Sequence, residues 1–201
     1  MPRRSAEDRK AEIIAACLDL ADRLGPDRMT TTDVARAVGL TQPGVFRHFP
    51  TKQALWLAVA EDVAARLTEA WDRALAGADT PEGQLRALIG AQLDQIAATP
   101  ALPAVIHSRE LNIDNPALRQ AFRARLAAFQ AHLVAALRAM QAAGRLRPDL
   151  APEDAAVLLT SLVQGLAIRW SLGARDYPLA GEGLRLADIQ LALISVGGSH
   201  D

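Results

Sequence analysis

The sequence predicts an all-α protein of about nine helices, with a small three-helix head at the N-terminus and a larger helical body behind it. Half of the 201 residues are apolar, few are aromatic, and Ala and Leu dominate, a composition that favours helices. Apolar residues recur three and four apart along most of the chain, and no run of alternating β-branched residues suggests a sheet.

The first helix is expected over about Ser5–Leu24, with Ile13 or Ile14, Cys17, Leu18, Ala21 and Leu24 on its apolar face and Gly25-Pro26 as its stop. Thr30 can cap the next helix, with Asp33 three residues on completing a capping box. Val34, Ala35 and Val38 line the inner face of that short helix, and Gly39 suits the left-handed stop behind it. Leu40 fills the turn. Thr41 caps a third helix that tolerates Pro43 in its first turn, and Val45 and Phe49, four apart, face inward. Thr41, Gln42, Gly44, Arg47 and His48 are left on the outer side. Two short helices, a tight turn and a polar helix start make a helix-turn-helix, which presents side chains to DNA base edges.

Thr51 caps a longer helix to about Leu75, with Leu55, Val59, Val63, Leu67 and Trp71 on one face. Gly77 to Pro81 is a break. A helix over about 81–98 follows, then a short one over about 102–111. From about 117 to 143, Phe122, Leu126, Phe129, Leu133, Ala136 and Met140 form a bundle-facing stripe. Helices over about 153–172 and 184–196 carry more apolar residues than one core-facing side needs, so Leu159, Leu162, Val163, Leu166, Ile189 and Leu193 are expected to meet a second copy. Gln164 and Arg169 interrupt the first of these helices, which reads as buried rather than membrane-spanning. The division expected is a DNA-binding domain over 1–52 and a regulatory domain over 53–201.

The formal net charge is −1, which argues against a general polyanion binder. Residues 1–56 hold nine Lys/Arg against seven Asp/Glu, and the remainder 13 against 16, so the basic excess lies at the helix-turn-helix end. The single cysteine, Cys17, excludes an internal disulfide and reads as a buried thiol of a cytoplasmic protein. The first residues lack an apolar signal segment. Enzymatic chemistry finds no support: there is no Gly-rich phosphate loop, no nucleophile-elbow serine and no cofactor motif. His107 and Glu110 share a helix face, but no second His or Cys completes a metal set.

Val34-Ala35, Gly39-Leu40-Thr41, Phe46-Arg47-His48-Phe49 and Lys52 together resemble the DNA-binding signature of the TetR family of transcriptional regulators. The resemblance covers Thr30 to Leu55, about an eighth of the chain, and the length and helical body agree with it. It implies an Ω-shaped homodimer on double-stranded operator DNA, with the last two helices dimerising and a small-molecule inducer in the body. It implies that Thr31, Thr32, Gln42, Pro43 and Gly44 approach DNA from the two short helices, and that Phe46, His48 and Lys52 meet the backbone. The family usually has tyrosine at the position of Phe46, so the hydroxyl contact to phosphate is missing here. A repressor released by a small hydrophobic ligand is the expected activity; an activator, or a regulator without an inducer, stays open.

The chemistry of these positions is specific. Gln42 can form a bidentate pair with adenine, worth about 1–3 kcal/mol of discrimination. Pro43 and Gly44 bring backbone close to the bases and offer apolar contact to a thymine methyl, and Lys52 supplies a point charge for phosphate near a helix start. Arg47 reaches outward to phosphate or base, and Arg3 and Arg4 form a short basic arm. In the body, polar or aromatic residues on otherwise inward faces are the pocket candidates: Trp71, His107, Glu110, Asn112, Phe129, His132, Gln164 and Trp170.

Overall fold

A computed structural model describes residues 5–196; Arg3 and Arg4, expected as a basic arm, lie outside the described residues. Ten helices form the described chain: α1 (Ala6–Leu24), α2 (Thr31–Ala37), α3 (Gln42–Phe46), α4 (Lys52–Ala76), α5 (Pro81–Ala98), α6 (Leu102–His107), α7 (Arg109–Asp114), α8 (Pro116–Ala142), α9 (Pro152–Leu172) and α10 (Leu179–Ile194). The sole β-type pairing among the described residues is a single antiparallel bridge between Leu146 and Ser195.

The local signals act as expected. Ser5 and Thr30 each build a capping box, with Asp8 and Asp33 respectively. Gly25, Gly39 and Gly144 hold the positive φ angles, 87°, 65° and 68°, that close α1, α2 and α8. The tenth helix arises because the stretch expected as one helix over 102–111 is two. Ser108 leaves helical geometry (φ −63°, ψ 111°), and its hydroxyl accepts from the Leu111 amide to start α7. Asn112, a pocket candidate, instead donates its side-chain amide to the carbonyls of Val105, Ile106 and Ser108, which fastens α7 to the end of α6. The last helix also starts earlier than expected, at Leu179 instead of 184. Gly181 and Gly183 weaken the helical signal there, yet Gly183 is buried where a Cβ would collide with Leu93 of α5.

The chain packs as two compact units. The first comprises Met1–Ala65 and Thr99–Ala124. Its core gathers Ile13, Cys17 and Ala21 of α1 with Val34, Val45, Phe49, Leu55, Trp56, Val59, Val105, Leu111 and Leu118. Burial pushes the Cys17 thiol up to about 12, and it points its hydrogen at the Met29 sulfur. The second unit comprises Arg66–Ala98 and Arg125–Asp201, where α10 lies against α5 and α9. These packing units cut across the expected boundary at 52/53: α4 runs unbroken from Lys52 to Ala76, and α6 and α7 pack with the N-terminal helices.

Candidate nucleic-acid interface

The helix-turn-helix is built by short-range bonds. The Asp33 amide donates to the Thr30 hydroxyl oxygen (3.2 Å), while the Thr30 amide and hydroxyl donate to Asp33 Oδ2 (3.1 and 2.6 Å). These bonds hold the Asp33 carboxyl below its ordinary value. Past α2, the Leu40 amide reaches back to the Ala35 carbonyl (2.8 Å), as the left-handed Gly39 permits. Leu40 packs half-buried against the core of the first unit. Thr41 then accepts from the Gly44 amide (3.2 Å) and starts α3. Val45 is sealed and Phe49 is nearly so, which anchors α3 from its inner side.

This anchoring leaves a ridge of Thr32, Thr41, Gln42, Pro43 and Arg47 exposed, flanked by half-buried Phe46, His48 and Lys52. Two expected outward residues differ. Gly44 is buried, because a backbone in contact with Leu40 and Thr41 leaves no outer face: a Cβ there would sit 3.3 Å from the Thr41 hydroxyl. Thr31 is also buried, at 7% exposure, because its side chain turns toward α3.

Thr31 joins α2 to α3. Its hydroxyl oxygen accepts from Gln42 Nε2 at 2.8 Å. A glutamine amide has two N–H groups and a carbonyl oxygen, and pairing with adenine uses one N–H and the oxygen. The bond to Thr31 uses one N–H and restrains the amide, and one N–H and the carbonyl oxygen remain. Sequence reasoning missed this coupling because the two residues lie eleven apart on separate helices. At the start of α4, the Ala54 amide donates to the Thr51 hydroxyl (3.0 Å), placing Lys52 in the first turn.

Of the pocket candidates, the second unit brings three together. The Trp71 ring lies 5.5 Å from Phe129 and 5.8 Å, edge-on, from His132. Its Nε1 donates to Gln92 Oε1 (3.1 Å). The others are elsewhere. Trp170 is buried at the end of α9, donating to the Tyr177 carbonyl (3.1 Å). His107 and Glu110 are exposed on α6 and α7 of the first unit. Gln164 is exposed, because α9 turns Leu159, Thr160, Val163, Leu166 and Ala167 inward and Gln164 falls on the opposite side. The same rotation corrects part of the expected interface with a second copy. Leu159, Val163 and Leu166 are consumed by the unit's own core, Leu162 is half-buried, and Ile189 and Leu193 are exposed at 48% and 63%. The outward apolar residues of α9 are Val157, Leu158 and Leu172.

Comparison with known proteins agrees with the geometry. Residues 13–59 match the family profile for bacterial regulatory proteins of the tetR family, and residues 81–194 match that of the C-terminal part of BetI-type transcriptional repressors. The HTH-type transcriptional regulator TtgR of Pseudomonas putida is 26% identical over 199 residues, covering 94% of this chain and 92% of its own. The nucleoid occlusion factor SlmA of Haemophilus ducreyi is 23% identical over 120 residues, and the chain spans 59% of its length. A transcriptional regulator of Saccharomonospora viridis, solved in complex with choline, shares the fold with a TM-score of 0.82 at 19% identity, covering 95% of this chain and all of the other. The matched family and the structural neighbours are transcriptional regulators, not enzymes. With its helix-turn-helix assembled, its helical body in place and both family profiles matched, the chain belongs to the TetR family and is a DNA-binding transcriptional regulator.

Proposed function

We propose that the protein is a cytoplasmic homodimeric repressor that holds a near-palindromic operator and leaves it when a small molecule occupies the body. The observation that carries base reading is the Gln42 amide, exposed at the head of α3 and held by one bond to Thr31. Thr32, Thr41 and Pro43 flank it against the bases, Arg47, His48 and Lys52 serve phosphate, and Phe46 packs against sugar. Gly44 contributes close backbone approach.

Dimerisation is supported by apolar side chains that the second unit leaves about half exposed or more. Val157, Leu158 and Leu172 of α9 stand 51%, 48% and 83% exposed, beside Ile189 and Leu193 of α10. A monomer has little reason to leave such a set in water. Alpha9 is long and apolar enough to cross a membrane by length and composition. Its inward face is spent on α5 and α10, so a second copy of the chain suits its outer face better than lipid.

Two heads in one dimer call for half-sites about one helical turn, 34–36 Å, apart or somewhat more. Ligand release then follows from preference: a molecule that binds the body better at the wrong head spacing weakens operator binding by that difference. Alpha4 is the covalent link for this effect, since it begins at Lys52 and continues without a break into the second unit.

Selection of bound sequences from a random duplex library tests the proposal. Recovery of a palindrome with adenine at the position facing Gln42 is the expected result. Absence of enrichment removes sequence-specific operator binding from the account.

A further inference from the structure

The outer face of α9 carries a pattern of size and charge that its own unit does not use. Asp154, Leu158, Ser161, Gly165, Ile168 and Leu172 follow in steps of four and three, within about 40° of one line at 100° per residue. All are exposed except half-buried Ile168. The buried residues of the helix, Leu159, Val163, Leu166 and Trp170 among them, occupy the opposite side. Gly165 is the anomaly of this line. Glycine weakens a helix interior, and a Cβ there would meet nothing within 4 Å, so the single chain has no need of it. The two ends of the face carry opposite charges. Asp154 lies in the first turn and makes no ion pair among the described residues, whereas its neighbour Glu153 faces Arg138. Arg169 lies in the last turn and stacks over the Tyr177 ring at 5.4 Å. Asp176 and Glu182 line the open cleft beside it, but neither forms an ion pair with it among the described residues. Glu182 is held instead by Arg185, through bonds of 2.8 and 2.7 Å.

We propose that two copies of the chain meet with α9 laid antiparallel on α9, about a two-fold axis that passes between Ser161 and Leu162. The proposal rests on the dimeric reading above and adds the orientation and the register. A self-complementary contact pairs residues equally far from the axis on opposite sides. This register sets Asp154 against the partner's Arg169, about 11 Å along the helix from the axis at 1.5 Å per residue. It also sets Leu158 over the partner's Gly165, where the missing side chain leaves a hollow for it. Charge and size are independent features of the face, and one register satisfies both. Ser161 at the axis is small enough for the two backbones to approach closely. Sliding the helices by one turn sets Asp154 against the partner's Gly165 or the partner's Gly173, and Arg169 then faces no acid. A parallel crossing is worse. It sets Asp154 against the partner's Asp154 and Arg169 against the partner's Arg169, two like-charge contacts, and leaves the two glycine hollows facing each other.

Cysteine cross-linking of the full-length protein tests the register, since the one native cysteine, Cys17, is buried. A disulfide needs Cα atoms within about 7 Å of each other. Under copper–phenanthroline oxidation, Ser161→Cys alone is expected to give a covalent dimer, because it lies at the axis. Leu158→Cys alone and Gly165→Cys alone are expected to stay unlinked, and the variant carrying both is expected to cross-link. Gly165→Leu, for which the single chain has room, is expected to weaken the dimer tenfold or more in sedimentation. Its helix content by circular dichroism is expected to match the wild type. A covalent dimer from Leu158→Cys or Gly165→Cys alone, no cross-link from Ser161→Cys or from the double variant, or a Gly165→Leu dimer as tight as the wild type overturns the register. In those cases dimerisation itself stands. A wild type that is monomeric in light scattering removes the dimeric reading, and this proposal with it.

Discussion

On the proposed reading one amide, that of Gln42, meets the bases, and a hydroxyl behind it, that of Thr31, restrains it. Gln42→Ala is expected to relax base preference by about 1–3 kcal/mol at one operator position. Lys52→Ala is expected to weaken all sequences alike and lower the salt slope by about one. Thr31→Val should reproduce part of the Gln42 effect although Thr31 is buried, because the amide plane is then free to turn. Affinities on specific and random duplexes at several salt concentrations separate these outcomes; equal losses on both for Gln42→Ala remove it from base reading. Cys17 illustrates a residue whose burial decides its chemistry. With its thiol pushed up to about 12, it is expected to resist alkylation at pH 8 while folded and to react once denatured, as mass spectrometry of labelled protein can check. The exposure of Gln42 at the start of α3 was legible from its place in a motif. The contacts of Thr31 and Arg125 were not, because a buried threonine and a stacked arginine leave no periodic trace.

At the scale of elements, helix ends were the most legible feature. Thr30, Asp33, Gly39 and Thr41 act within four residues of themselves, so their bonds can be read without knowing the fold. Thr30→Ala is expected to cost about 1 kcal/mol in denaturant unfolding. Asp33 adds a pH dependence: its carboxyl, held by the Thr30 hydroxyl and backbone, titrates lower folded than unfolded. Its contribution is therefore complete above the usual carboxylate value and is lost as pH falls through the lower, folded one. The wild type should lose stability more steeply than Thr30→Ala on acidification below about pH 4, a difference that melting curves across that range would show. Helix packing was less legible. Gly183 looks like a helix breaker in sequence, yet it lets α10 close on Leu93 of α5. Gly183→Val is expected to destabilise by about 1–3 kcal/mol through overpacking. An unchanged melting temperature would show that Leu93 can move aside.

At the scale of the whole molecule, the exposed apolar residues of α9 and α10 are the surface that the proposed dimer would bury. Leu158→Glu with Leu193→Glu places charges on side chains exposed in the single chain, so the fold should survive. The double variant is expected to run as a monomer in light scattering and to bind a palindrome far more weakly than the wild type, while a half-site is bound about as well. A dimer that persists in the variant would move the interface elsewhere.

The helices, their caps, the helix-turn-helix and the excess of apolar surface at the C-terminal end were determined by the sequence alone, since each follows from spacing of a few residues along one element. Tertiary structure decided which side of each element faces in. It placed Leu159, Val163 and Leu166 in the core and Gln164 outside, split the helix at Ser108, and closed α10 on α5 through Gly183. It also brought Arg125 to Thr68, fifty-seven residues away, and over the ring of Trp71. An apolar stripe states that a helix has a face to bury but not its partner, and only the packing of distant segments supplies that partner.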